Sequence, residues 1–342
     1  MRIAIVNDMN LGVEALRRVL VTVPEYEVAW IAHDGAEAVK KCGADCPDLI
    51  LMDLIMPVMD GVEATRRIMA ECPCPILVVT ATVTGNISKV FDAMGRGALD
   101  AVCTPVLGTN GDLGGAEPLI NKIKMIGVLL KKKPDTDILP RLSPPAARND
   151  CVPLVAIGSS TGGPQALADV LAGLTAGFAS AIVVVQHVDA LFTPGLAEWL
   201  SLQSPMKVQL IKSGDRPEAG KVWLACTNDH LIFNPDLSFA YTPEPAKNPY
   251  RPSVDVFFES CSHVIPGRHV AVLLTGMGRD GAKGLLALRN HKWLTIAQDK
   301  KSSVVYGMPK AAADLDAAVE VLPVKSIGRR LAQLDNLRTF MK

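Results

Sequence analysis

The chain has 342 residues, with 35 Lys and Arg against 35 Asp and Glu, so its formal net charge is zero. Apolar residues make up 49% and aromatics 5%, which excludes general disorder, and the lack of excess positive charge disfavours a nucleic-acid partner bound by counterion release. The length exceeds the roughly 250–300 residues at which one core stops growing, so two domains are expected.

From Arg2 to about Leu130, short apolar runs alternate with helical patterns. The spacing predicts strands at Ile3–Val6, Val28–Ile31, Leu49–Met52, Ile76–Val79 and Ala101–Cys103. Helices are predicted between them at Gly12–Val21, Ala36–Lys41, Val62–Ala70 and Ile87–Gly95, with a last one at Pro118–Leu130. Five βα units of this kind make a parallel sheet with helices on both faces. Residues 131–150 hold four prolines and open on three adjacent lysines, a composition that builds no core and reads as a semi-extended linker. The second half alternates again. Strands are predicted at Leu154–Ile157, Ile182–Val185, Val208–Ile211, Val222–Leu224, Val270–Leu274 and Leu294–Ala297. Helices are predicted at Gln165–Leu174, Val254–Ser262, Gly281–Asn290, Pro309–Asp314 and Ile327–Leu334. The expected architecture is α/β, two doubly wound parallel-sheet domains: residues 1–125, then a helix end and Pro/Lys-rich linker over 126–150, then residues 151–342. Residues 1–125 carry 11 basic and 16 acidic side chains, net −5, and residues 151–342 carry 19 and 16, net +3. The two halves therefore attract each other weakly.

The eight cysteines, at positions 42, 46, 72, 74, 103, 151, 226 and 261, form no C-x-x-C pair, and no His cluster completes a zinc set. They read as reduced thiols of a cytoplasmic protein. The apolar run Met1–Val6 is too short for a secretion signal. Val170–Val188 is 19 residues without a formal charge, close to the length that crosses a bilayer. Gly173, Gly177, Gln186 and His187 interrupt it, so a helix end, a loop and a buried strand are expected, with no membrane insertion.

Ligands of open α/β sheets sit at strand carboxyl ends, where the strand order reverses. Asn7 and Asp8 follow the first predicted strand, Asp53 the third and Thr80 the fourth. Their oxygens suit a hard cation such as Mg²⁺, and Asp53 suits a carboxylate nucleophile; the alternative is helix capping. The stretch Leu51-Met-Asp-Leu-Ile-Met-Pro-Val-Met-Asp-Gly61 resembles the phosphoacceptor loop of a response-regulator receiver domain, over about residues 1–125. The resemblance implies a flavodoxin-like fold, phosphorylation of Asp53, Mg²⁺ held by Asp8 and Asp53, and Thr80 as the switch hydroxyl. Two positions depart from the family. Asn7 stands where a second acid is usual, which weakens Mg²⁺ binding, and Thr104 stands before Pro105 where a Lys is usual, which removes a cation that pairs with the phosphoryl group.

In the second half, Gly158-Ser159-Ser160-Thr161-Gly162 fits G-x-S-x-G, the strand-to-helix turn that exposes a serine nucleophile. A polar loop with an N-cap serine and a phosphate-cradling turn remain alternatives. His187 follows the strand at Ile182–Val185, and Asp280 lies in a glycine-rich turn after Val270–Leu274, so three strand ends supply Ser, His and Asp, the set for acyl transfer. His33, His230, His263, His269 and His291 read as surface or helix-adjacent residues. The order Ser…His…Asp differs from that of α/β-hydrolases.

The segments Gly158-Ser-Ser-Thr-Gly-Gly163, Gln186-His187, Tyr250-Arg-Pro-Ser-Val-Asp-Val-Phe-Phe258, Leu274-Thr-Gly-Met-Gly-Arg-Asp-Gly281 and Tyr306-Gly-Met-Pro309 together resemble the CheB methylesterase domain. With the receiver in front, the chain resembles chemotaxis response-regulator protein-glutamate methylesterases, and it is most similar to their Wsp-type, surface-sensing branch. The resemblance implies a Rossmann-like catalytic domain with Ser160 as nucleophile, His187 as general base and Asp280 as its orienting carboxylate. It further implies Thr161 as a hydrogen-bonding neighbour and the Met277 main-chain N–H as oxyanion donor. Implied partners are methyl-accepting chemotaxis-type receptors as substrate and a CheA-type histidine kinase as phosphodonor, with no cofactor for catalysis. The implied reaction is hydrolysis of glutamyl methyl esters, with glutamine deamidation as a second activity, and the receiver regulates it by covering the cleft. Arg279 and Val188-Asp189 replace commoner residues on the cleft wall. Competing readings are a receptor-docking module without turnover, a DNA-binding regulator and a nucleotide-binding enzyme. The regulator lacks a basic recognition helix, and the nucleotide enzyme lacks a phosphate-loop lysine.

Overall fold

The computed structural model describes residues 1–81, 87–107, 113–114, 116–131, 152–246, 248, 250–267 and 269–340. The chain divides into two compact units, Met1–Asp137 and Ile138–Lys342. The linker expected over residues 131–150, apart from Lys131, and Cys151 lie outside the described residues.

In the first unit, β1 (Arg2–Val6), β2 (Glu27–Ala32), β3 (Leu49–Met52), β4 (Ile76–Thr80) and β5 (Asp100–Cys103) alternate with α1 (Asn10–Val21), α2 (Gly35–Ala44), α3 (Gly61–Glu71) and α4 (Ile87–Gly95). A two-strand hairpin, β6 (Val106–Leu107) with β7 (Leu113–Gly114), precedes α5 (Ala116–Lys131). The five strands are parallel in the order β2-β1-β3-β4-β5. β3 and β4 are buried at every position, which is why they read as unbroken apolar runs: helices cover both faces. Asp34 and Asp60 start α2 and α3, their carboxylates accepting from first-turn amides. The strand order reverses between β1 and β3, so Asn7, Asp8 and Asp53 meet at that reversal.

In the second unit, β8 (Leu154–Ser159), α6 (Gly163–Ala172) and β9 (Ala181–Gln186) lead to a 3₁₀ turn at Ala190–Phe192 and α7 (Thr193–Gln203). Strands β10 (Val208–Leu210), β11 (Val222–Leu224), β12 (His230–Phe233) and β13 (Phe239–Thr242) follow, then α8 (Val254–Val264) and β14 (Val270–Leu273). Helix α9 (Ala282–Asn290), β15 (Leu294–Gln298), α10 (Met308–Asp314), β16 (Glu320–Leu322) and α11 (Val324–Phe340) close it. Seven parallel strands lie in the order β10-β11-β9-β8-β14-β15-β16. The residues after β9, β8 and β14, three neighbouring central strands, are His187, Ser160 and the turn that carries Asp280.

The segment Val170–Val188 divides into the end of α6, a loop and buried β9, and among the described residues no helix is long and apolar enough to cross a membrane. Several elements differ from the periodicity. α7 has apolar residues on most sides and Pro194 in its first turn, so it offers no single stripe to read, although Pro is well placed there. The antiparallel hairpin β12–β13 turns through Asn234–Ser238 and is too short to announce itself. It packs Phe233 and Phe239 into the core beside Phe257.

Candidate active site

Between β8 and α6 the chain turns through Ser160, Thr161 and Gly162. Gly162 has φ +75°, a conformation that costs a side chain, and a Cβ on Gly163 would stand 2.0 Å from Gln186 Oε1. The turn therefore needs both glycines. The Ser160 amide donates to the Thr275 carbonyl at 3.0 Å, and the His187 amide donates to the Ser159 carbonyl at 3.0 Å. That second bond carries the β8–β9 pairing one step past Ser159 and Gln186, so Ser160 and His187 stand side by side at adjoining strand ends.

His187 Nε2–H donates to Asp280 Oδ2 at 2.7 Å. Asp280 is buried and also accepts from Ser253 Oγ (2.7 Å), the Val254 amide (2.6 Å) and the Asp255 amide (3.2 Å). Burial pushes this carboxyl up, but the bonds from His187, Ser253 and Val254 outweigh it and hold it below the ordinary Asp value. Two of the donors are first-turn amides of α8, where the helix dipole favours an anion. Asp280 is thus favoured in its charged form, which accepts the hydrogen bond from the proton carried by His187 Nε2. The other ring nitrogen, Nδ1, is buried without a hydrogen-bond partner among the described residues, so its lone pair is not engaged there.

A rigid peptide lies on the other side of Ser160. The Gly276 carbonyl accepts from the Gly307 and Met308 amides, and the Gly276 amide donates to Val305. Because the peptide is planar and trans, fixing that carbonyl fixes the direction of the Met277 N–H, which donates no hydrogen bond among the described residues. A Cβ on Gly276 would come within 2.7 Å of Ser160 Cβ and 2.2 Å of Met308 Sδ. Only glycine lets this peptide approach the serine so closely. Thr161 joins the network through its carbonyl, which accepts from Thr275 Oγ1 at 3.0 Å.

In the first unit, Asp53 is half-buried and accepts from Asn7 Nδ2 at 3.0 Å and from the Leu54 amide at 2.7 Å. Burial raises its carboxyl above the ordinary value; the Leu54 and Ile55 amides offset part of this, and the neighbouring charge of Asp8 adds to it. Asp8 itself is exposed. The Asn7 oxygen is turned to the Met9 amide at 2.9 Å, so the side chain supplies Asp53 with a donor in place of a second carboxylate. Thr80 is buried at the end of β4, and its carbonyl accepts from the Thr104 amide at 2.9 Å.

Residues 155–331 match the family model of the CheB methylesterase, and residues 3–108 match that of the response regulator receiver domain. A protein of Bordetella avium named protein-glutamate methylesterase/protein-glutamine glutaminase 1 is 55% identical over 98% of this chain and 97% of its own. A Pseudomonas aeruginosa protein named protein-glutamate methylesterase/protein-glutamine glutaminase 3 is 52% identical over 98% and 99%. The chain belongs to the CheB methylesterase family. The crystal structure of the Thermotoga maritima CheB methylesterase catalytic domain is 35% identical and covers 54% of this chain and 99% of its own, with a TM-score of 0.52.

This CheB-family site has parts that sequence spacing did not single out. The Tyr250 ring stacks on His187, centroids 4.9 Å apart and planes 11° apart, and Gly278 (φ +80°) leaves room for the Tyr250 hydroxyl, 2.1 Å from where a Cβ would stand. Ser253 precedes an apolar helical run, an N-cap signal; it caps α8 through the Val256 amide and also donates to Asp280. His230 and His269 correct the surface reading. Both are buried: His230 Nδ1 accepts from the Ser253 amide at 3.0 Å, and His269 Nδ1 accepts from the Leu154 amide at 3.0 Å. Each imidazole satisfies a strand-edge or loop amide that no other group reaches in sequence, so neither left a local signal.

Proposed function

We propose that this chain is a protein-glutamate methylesterase that also deamidates glutamine side chains, acting on the cytoplasmic helices of methyl-accepting chemotaxis-type receptors. The observation that carries the reading is the His187–Asp280 bond at 2.7 Å beside a buried, unpaired His187 Nδ1. Ser160 Oγ attacks the ester carbonyl while Nδ1 takes its proton. The developing oxyanion is stabilised by the Met277 N–H, whose direction its peptide fixes. The imidazolium, held by ionised Asp280, returns the proton to the departing methoxide, and methanol leaves. His187 then deprotonates water, which attacks the acyl-Ser160 ester; the proton passes back to Ser160 Oγ and the glutamate is released. A side-chain amide follows the same route with ammonia as leaving group. Thr161 supports the turn through its carbonyl.

The first domain, set at residues 1–125 with a linker over 126–150 before the catalytic domain at 151–342, regulates this activity through phosphorylation of Asp53 by a CheA-type histidine kinase. Asp8 and Asp53 are the oxygen donors that fit Mg²⁺, a cation that keeps several waters and takes one or two carboxylates. When bound, it neutralises charge on the incoming phosphoryl group. Asn7 holds Asp53 by its amide in the meantime. Thr80 lies at the neighbouring strand end as the switch hydroxyl. On this reading the protein works in the cytoplasm, beside the receptor helices it acts on, and Asn7 and Thr104 fit a Wsp-type pathway.

The test is methanol release from a methylated receptor by the full chain and by Ser160→Ala. Release by the wild type with a loss of at least about 10³-fold in the variant is expected. Receptor binding without methanol release from either protein would favour a docking module.

A further inference from the structure

Four of the eight cysteines converge at the amino-terminal edge of the first sheet, the end opposite Asp53. Cys42 lies in the last turn of α2, and Cys46 follows before β3. Cys72 caps the C-terminus of α3, and Cys74 follows before β4. Sequence spacing showed two unrelated pairs, C-x₃-C and C-x-C. The parallel pairing of β3 with β4 lays the α2–β3 and α3–β4 loops side by side and merges them. The Sγ atoms of Cys42, Cys46 and Cys74 all lie within 4.8 Å of one another. Cys42 Sγ also donates to the Cys72 carbonyl at 3.7 Å.

We propose that this cluster is a binding site for a thiophilic divalent cation of the zinc class, with Cys42, Cys46 and Cys74 as ligands and a fourth position open to water. Sulfurs bound to one tetrahedral zinc at about 2.3 Å stand roughly 3.8 Å apart, so a contraction of about 1 Å completes the geometry. Cys46 is exposed and gives the ion a way in, while Cys42 and Cys74 are buried and hold their positions. Soft sulfur donors select zinc over the hard Mg²⁺ that suits the oxygens at the opposite strand ends. Each ligating thiol releases its proton to solvent as the metal binds. Three mutually close sulfurs suit a metal better than a single disulfide, which would leave the third unused. The ion ties together the loops that enter β3 and β4, the strands that end beside Asp53 and Thr80.

The test uses the reduced, metal-free full chain, titrated with Co²⁺ as a coloured stand-in and then with Zn²⁺. One equivalent of Co²⁺ should give thiolate-to-cobalt charge-transfer absorption and tetrahedral d–d bands, both bleached by Zn²⁺. Cys46→Ser, a change at an exposed position, should match the apo wild type by circular dichroism and weaken binding at least about tenfold. Cys103→Ser, at the far end of β5, should leave it unchanged. Zn²⁺ should raise the thermal midpoint of the wild type and not that of Cys46→Ser. Absence of the charge-transfer band after full reduction, or equal binding by wild type and Cys46→Ser, would overturn the proposal.

Discussion

Two aspartates, Asp53 and Asp280, stand at strand ends of parallel sheets, each partly or wholly out of water, and their acidities move in opposite directions. Asp53 receives the Asn7 amide and main-chain amides, has Asp8 beside it, and is pushed up. Asp280 receives His187, a serine hydroxyl and two helix-start amides, and is held down although Asp255 is a like-charged neighbour. Burial acts alike on both. The number and charge of the donors decide the outcome. The carboxylate proposed to take up a phosphoryl group is left partly unsatisfied, whereas the one hydrogen-bonded to His187 is saturated with donors.

The largest effect expected from disturbing this contrast is in Asp280→Asn. The amide can present its NH₂ to His187 and favour the wrong tautomer, so kcat for methanol release should fall by about 10⁴ while receptor binding persists. Steady-state kinetics of the variant against wild type decide it. Asp255, next in sequence to the donors that hold Asp280, bears the cost of that anion: burial and the Asp280 charge push it up to about 7. Its folded value exceeds its unfolded one, so its contribution to stability is complete below the ordinary Asp value and is lost as pH rises through about 7. Asp255→Asn keeps an acceptor for the Gly284 amide and should stabilise the fold at pH 8 by roughly 1–2 kcal/mol, with no gain near pH 4. Urea midpoints of the two proteins across that range test the sign.

A smaller effect is expected where the two sites differ in their walls. Tyr250→Ala removes the ring stacked on His187 and should lower kcat about tenfold with KM little changed, whereas Tyr250→Phe should retain most of the rate. The smallest change is expected at Asn7→Asp, which replaces the donor to Asp53 with a second carboxylate. Mg²⁺ affinity should tighten a few-fold, and Asp53 should be pushed further up; Mg²⁺ titration of the full chain reads the first.

The fold was largely legible because strands buried on both faces and helices with one apolar stripe leave different periods in a sequence. Strands β3 and β11 and helix α4 fall on the predicted residues. The elements that were not legible, α7 and the β12–β13 hairpin, are stabilised by what packs on them. Residues of the candidate site were legible where the chemistry sits in a local motif: Ser160 in its glycine turn, Asp53 in its loop, His187 one residue past a strand. The contacts of Tyr250, Ser253 and His230 were not, although Tyr250 and Ser253 lie in a segment with family resemblance, because each contact joins residues far apart in the chain.

The sequence by itself determined two α/β units and most of their parallel strands, and it pointed to candidate residues at strand ends, because local propensity and burial pattern leave a readable period. Only the tertiary structure decided which ring nitrogen of His187 faces Asp280, how many donors saturate that carboxylate, and that four cysteines split between two loops share one corner. Those depend on strand order and register, which bring residues from distant parts of the chain within ångströms of one another and leave no periodic trace in either part.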